Sequence, residues 1–71
     1  MSIRRINEQY GLSCVLGQRV LYTGGREPKY GTLTGTRGAR LLIMLDGGRI
    51  AGEYHPTWEL MHLQPAKETA L

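Results

Sequence analysis

Three side chains in this sequence have the chemistry of metal ligands, or of a nucleophile with its base: Cys14, His55 and His62. A structural zinc site gathers its ligands in close pairs. The chain has neither a CxxC nor an HxxxH spacing, so no metal site is expected. Nucleophilic catalysis needs a serine, threonine or cysteine beside a base that a third group orients, and no local motif sets Cys14 in that position. Beside Val15, Cys14 reads as a small hydrophobe, while His62 alternates with Met61 and Leu63 as an exposed strand position would. Glu53 and Glu59 fall in a segment that reads as strand and surface turn, a poor setting for paired-carboxylate catalysis. Gly24, Gly25, Gly31, Gly35 and Gly38 crowd one region, yet a phosphate-binding P-loop needs a Gly-Lys pair and none occurs. The expectation is a binding module with no catalytic machinery, metal or cofactor.

Binding chemistry is better represented. Single-stranded nucleic acid is held by cations for its phosphates and aromatic faces for its bases. Lys29 and Tyr30 adjoin one loop, Arg37 and Arg40 flank the next, Arg49 leaves a third, and Tyr54, His55 and Trp58 cluster further on. The 71 residues carry a net charge of +3. Residues 1–25 contribute +2, residues 26–49 contribute +3 and residues 50–71 contribute −2, so the basic character lies in the first two thirds. A bias of this size attracts polyanions, but it is also common in proteins that bind none. Loop arginines serve equally well as solubilising residues. Trp58, the single tryptophan of a thin core, is expected to be buried with Tyr54 as a lid.

These residues must be positioned by a small domain. A chain this short hides only about 60% of its unfolded surface. Its one cysteine allows no internal disulfide and suits a reducing compartment. Residues 1–20 lack the continuous apolar run of a signal peptide or membrane span, so a soluble, intracellular protein is expected. Ile3, Ile6 and Tyr10 share helical spacing, with Ser2 as N-cap and Gly11 as terminator. Short strands separated by glycine follow. They are expected near Gln18 to Thr23, Tyr30 to Arg37, Arg40 to Asp46, Arg49 to Tyr54 and Leu60 to Leu63. Gly38-Ala39 and Asp46-Gly47-Gly48 read as tight hairpin turns, and Pro56-Thr57-Trp58 as one turn of 3₁₀-helix.

Alternation places Val20, Tyr22, Leu33, Leu41, Ile43 and Leu45 on one face, joined by Ile50, Leu60 and Leu63. The opposite face then shows Leu21, Leu42 and Met44, where a solvated sheet should be polar. The reading adopted is that the N-terminal helix lays Ile3, Ile6 and Tyr10 across this patch. A partner or a second copy of the chain is the alternative cover.

The run Gly17-Gln18-Arg19-Val20-Leu21-Tyr22-Thr23-Gly24-Gly25, continued by Gly31-Thr32-Leu33-Thr34-Gly35, resembles the entry to KOW-type and other SH3-like barrels. Gln18 stands where KOW segments usually carry an acidic residue, so ribosomal or elongation roles are not carried over. From about Tyr10 to Leu63, with Leu45-Asp46-Gly47-Gly48 and the specific stretch Tyr54-His55-Pro56-Thr57-Trp58, the chain is similar to short phage and prophage proteins of unassigned function. That resemblance implies an SH3-like fold and a cytoplasmic location in a host cell. Plasmid-encoded dihydrofolate reductases share the small barrel, but their Val-Gln-Ile-Tyr motif is absent.

The expected architecture is mostly β: a five-stranded SH3-like barrel over residues 12–63, a helical segment over 1–11 packed on it, and a flexible tail over 64–71. The expected activity is contact with a host or phage protein, as a regulator, through Leu21, Leu42 and Met44 or through Tyr54, His55 and Trp58. The alternative is DNA or RNA binding through Lys29, Tyr30, Arg37, Arg40 and Arg49. Homodimerisation is compatible with either; a membrane partner is not expected.

Overall fold

The computed structural model describes residues 2–63; the tail expected over 64–71 lies outside them. The chain begins with helix α1, Ile3–Tyr10. The Ser2 hydroxyl accepts the Arg5 N–H at 3.3 Å, and Gly11 leaves the helix in the left-handed region, its N–H donating to the Asn7 carbonyl. Both ends therefore follow the ordinary rules of capping. Two turns are not stable alone. What holds α1 is the burial of Ile6, with Ile3 and Tyr10 half-buried around it. Burying one such aliphatic side chain stabilises by about 1.5–3 kcal/mol.

Asn7 then fastens the returning chain. Its amide donates to the Cys14 carbonyl and accepts from the Cys14 N–H, each at 2.9 Å, so one side chain satisfies a residue that enters the core directly afterwards.

Five strands follow: β1 (Arg19–Tyr22), β2 (Lys29–Arg37), β3 (Arg40–Leu45), β4 (Gly52–Tyr54) and β5 (Leu60–His62). They form one antiparallel sheet in the order β4-β3-β2-β1-β5. The expected mostly-β class, the five strands and the short N-terminal helix are all present. At the β2–β3 connection Arg37 pairs with Arg40 across Gly38-Ala39. Only Gly38 has positive φ there, 59°, which is the signature of a type II′ hairpin.

The other connections differ from expectation. Leu45 to Gly48 closes as a turn with Gly47 at φ 84°, Gly48 N–H donating to the Leu45 carbonyl at 2.9 Å. Positive φ at the third position makes this a type II turn, which splays the strands where a primed turn would pair them. Pairing therefore resumes only at Gly52, opposite Ile43, and β4 is three residues long. Ile50 sits in that opened loop, 86% exposed rather than in the core. The Pro56–Trp58 segment forms bends and a turn instead of a 3₁₀ turn, with Glu59 at φ 56° just before β5.

The core is one cluster: Ile6, Cys14, Val20, Leu33, Leu41, Ile43 and Leu60, with Tyr22, Leu45 and Tyr54 packed against it. Strand register explains the membership. Val20 faces Gly31, Leu33 faces Ile43 and Leu41 faces Tyr54, so these side chains share one face of the sheet. Helix α1 lies on this inner face, because Ile6 belongs to that cluster. It does not cover Leu21, Leu42 and Met44, as the sequence suggested. A mainly apolar β3, Leu41-Leu42-Ile43-Met44-Leu45, has two faces of nearly equal hydrophobicity, and α1 docks on the one that already holds Val20, Leu33 and Leu60.

Candidate functional site

The outer face of the sheet is built by the complementary alternation. Leu21 of β1 stands between Tyr30 of β2 and Met61 of β5; Thr32 pairs with Met44; and Leu42 lies between Gly35 and Glu53. Leu21, Leu42 and Met44 are half-buried by these neighbours, while Tyr30 and Met61 are 52% and 55% exposed. A bulge between Leu33 and Gly35 keeps the sequence on phase, since without the extra residue Gly35 and Leu42 would not share this face. The three expected residues are thus brought together. Tyr30, expected as a base-stacking residue, joins them, and so does Met61, whose place only the β1–β5 register reveals.

One polar seam crosses this surface. Arg19 of β1 lays its guanidinium over β2, where Nη1 donates to Thr32 Oγ1 at 2.7 Å and to Asp46 Oδ1 at 2.9 Å, and Nη2 donates to Asp46 Oδ2 at 2.5 Å. The two parallel bonds to Asp46 are the fork-on-fork geometry that arginine favours. They hold the Asp46 carboxyl below the usual carboxylate range, chiefly through these hydrogen bonds, and raise Arg19 in turn. At the other end Arg37 Nη1 meets Glu53 Oε2 at 3.2 Å. The Arg19–Asp46 clamp therefore divides the outer face, with Leu21, Tyr30 and Met61 on one side and Met44 and Leu42 on the other, and the Arg37–Glu53 pair closes the hairpin end.

Tyr54, His55 and Trp58 do not belong to it. Tyr54 points inward and meets the Tyr22 ring edge-to-face, 5.0 Å between centroids. His55 stacks on Trp58 at 4.0 Å and 9°, and meets Tyr10 of α1 edge-on at 5.3 Å. Trp58 is 66% exposed, not buried as a lid. The reason lies in the short turn: the Thr57 N–H donates to His55 Nδ1 at 3.1 Å, which folds His55 back under the indole and leaves the indole's far side in solvent.

His62, expected at the surface, is half-buried on the inner face opposite Val20. Its Nε2 lies 2.7 Å from the Pro56 carbonyl, which can only accept, so the neutral ring carries its proton there. Nδ1 is left to accept the Cys14 thiol, 3.4 Å away. Burial pushes the Cys14 thiol up from its ordinary value, opposing the thiolate a nucleophile would need. The pair joins three segments of backbone and reads as a structural tie. Among the described residues no group of three or more His, Cys, Asp and Glu side chains could hold a metal ion.

The basic residues are divided between two ends of the sheet. Lys29 opens β2 and Arg37 closes it, eight residues on, about 26 Å away at ~3.3 Å per residue. Arg40 lies with Arg37 at the hairpin, while Arg49 follows the turn after β3 at the Lys29 end. No helix of the described residues is long and apolar enough to cross a membrane. No protein-family model, curated protein or solved structure matches the chain.

Proposed function

We propose that this chain is a non-catalytic, SH3-like module of the phage type that acts by protein–protein contact, with Leu21, Tyr30, Leu42, Met44 and Met61 as its contact surface. One observation carries the reading. The single helix of the described residues covers the inner face of the sheet and leaves an apolar strip on the outer one. Antiparallel sheets with a solvated face normally make it polar, and aromatic and methionine side chains are enriched where protein surfaces meet. The Arg37–Glu53 pair supplies part of a polar rim, and the Arg19–Asp46 pair adds a charged contact within the surface. A nucleic-acid reading through Lys29, Tyr30, Arg37, Arg40 and Arg49 has less support. Its cations stand at opposite ends of β2, and Arg37 is already engaged by Glu53.

Leu42→Asp tests the proposal. The variant is expected to stay folded, with a urea midpoint lowered by the new carboxylate opposite Glu53, yet to lose the protein partners that an immobilised wild-type chain retains at about 0.2 M salt, where phosphate contacts are weakened. Unfolding of the variant would make Leu42 a core residue. Retention of the same partners would place the contact elsewhere, and capture of nucleic acid alone would favour the other reading.

A further inference from the structure

At the Lys29 end of the sheet, on the inner side, lies a depression of about 430 Å³ lined by Tyr22, Gly25, Arg26, Glu27, Lys29 and Leu45. Its floor is apolar and braced. Tyr22 and Leu45 are half-buried against the core, and the Tyr22 ring is fixed edge-to-face by Tyr54. Its rim sets Arg26 and Lys29 against Glu27, and the Glu59 carboxylate ends beside the Tyr22 hydroxyl. Arg4, Arg19 and Arg37 each meet a carboxylate, whereas Arg26 and Lys29 form no ion pair among the described residues. Glu27 is the one acid in the lining, and Asp46, next along from Leu45, is held by Arg19 on the other face.

We propose that this depression docks an acidic peptide segment of a protein partner, with one apolar side chain on Tyr22 and Leu45 and flanking carboxylates on Arg26 and Lys29. The assignment is independent of the outer face. A simple anion would make no use of the floor, and a nucleic-acid strand would need cations along its length, while Arg37 and Arg40 stand about 26 Å away. A volume of this size accepts a single large side chain with its neighbours. Specificity would come from the charges, and fit from the floor.

Gly24 gives a way to change fit without charge. A Cβ built there would fall 2.5 Å from Glu59 Oε1, 2.6 Å from Tyr22 Cζ and closer still to the Tyr22 hydroxyl, so Gly24→Ala must displace the Glu59 carboxylate and tilt the Tyr22 ring. The Glu59 tip is free to swing aside, whereas the Tyr22 ring must tilt against Tyr54, so the amide spectrum of the variant is compared with wild type before titration to show that the fold is kept.

The probe is a capped five-residue peptide with leucine at its centre and glutamate at the other positions, titrated into the ¹⁵N-labelled chain while amide shifts are followed. Saturable shifts are expected over residues 22–29 and at Leu45. Binding should weaken about tenfold or more when glutamine replaces the peptide's glutamates, and equally in Arg26→Glu/Lys29→Glu. Gly24→Ala should weaken it with all charges kept. The proposal is overturned by the absence of saturable shifts at millimolar peptide, by shifts confined to the outer-face residues, or by equal binding of the glutamine peptide. It is also overturned if an oligothymidylate shifts the same amides at lower concentration. Leu42→Asp leaves this depression intact, so failure on the outer face and failure here are read separately.

Discussion

The two faces of this sheet are made of similar residues and meet different fates. Val20, Leu33, Leu41 and Ile43 on the inner face are fully buried; Leu21, Leu42 and Met44, their immediate neighbours in sequence, are only half-buried. Intrinsic hydrophobicity does not separate the two sets. What separates them is cover: α1 brings Ile6, and the chain after it brings Leu12 and Cys14, to one side only. The inner face carries the packing, and the outer face is left partly open to solvent.

The sharpest way to break this contrast is truncation on each side. Leu33→Ala should cost about 2–5 kcal/mol, the range for emptying a packed leucine site, and in so small a domain that is a large part of the total. Leu42→Ala, half-exposed, should cost well under half as much. Urea denaturation of the two variants measures the difference. Equal losses would mean that the outer face is a second core.

The sequence made most of the inner face legible and little of the outer one. Val20, Leu33, Leu41 and Ile43 were recoverable from strict alternation, and α1 from a three-residue apolar stripe between Ser2 and Gly11. Alternation alone puts the cover on the wrong side, because β3 is apolar on both. Periodicity cannot choose between two apolar faces; a tertiary contact chooses, here that of Ile6. The binding candidates split for a related reason. Leu21, Leu42 and Met44 are separated in sequence yet converge through register, whereas Tyr54, His55 and Trp58 are contiguous and diverge, since one turn sends Tyr54 inward and the Trp58 ring outward. The Arg19–Asp46 clamp spans 27 positions and leaves no local signal. The pairing of Cys14 with His62 spans 48 and leaves none either.

Glycine gives a second, smaller contrast. Gly31 is buried on the inner face, where an added Cβ would lie 2.8 Å from Ile43 Cγ2 and 2.9 Å from the Met44 carbonyl oxygen. Neither can yield without moving the core or the strand. Gly35, on the outer face, would meet only Leu42 Cδ1 at 3.7 Å, an ordinary contact. Gly31→Ala should therefore cost about 1–3 kcal/mol, the usual penalty for overpacking. Gly35→Ala should be neutral or slightly stabilising, by up to about 1 kcal/mol, since alanine loses less freedom on folding. Thermal denaturation of the pair tests it, and a neutral Gly31→Ala would mean that the inner face is looser than its packing implies.

The smallest effect belongs to the outer face alone and depends on pH. Arg19 holds the Asp46 carboxyl below its ordinary value, chiefly by hydrogen bonding. A carboxylate whose folded pKa is lowered stabilises the fold at pH above its unfolded value, about 3.9, and that contribution disappears as pH falls through the folded value. Both groups are substantially exposed, so the contribution is screened by salt and modest. Asp46→Asn should lower the urea midpoint slightly at neutral pH and low salt. The gap from wild type should narrow below about pH 4 and again in high salt. No inner-face variant should show this pattern, because the described core contains no buried charged residue. A gap that persisted at low pH would mean that Asp46 acts through the turn after β3 rather than through its charge, and the polar seam would then be a feature of backbone geometry instead of an electrostatic clamp across β2.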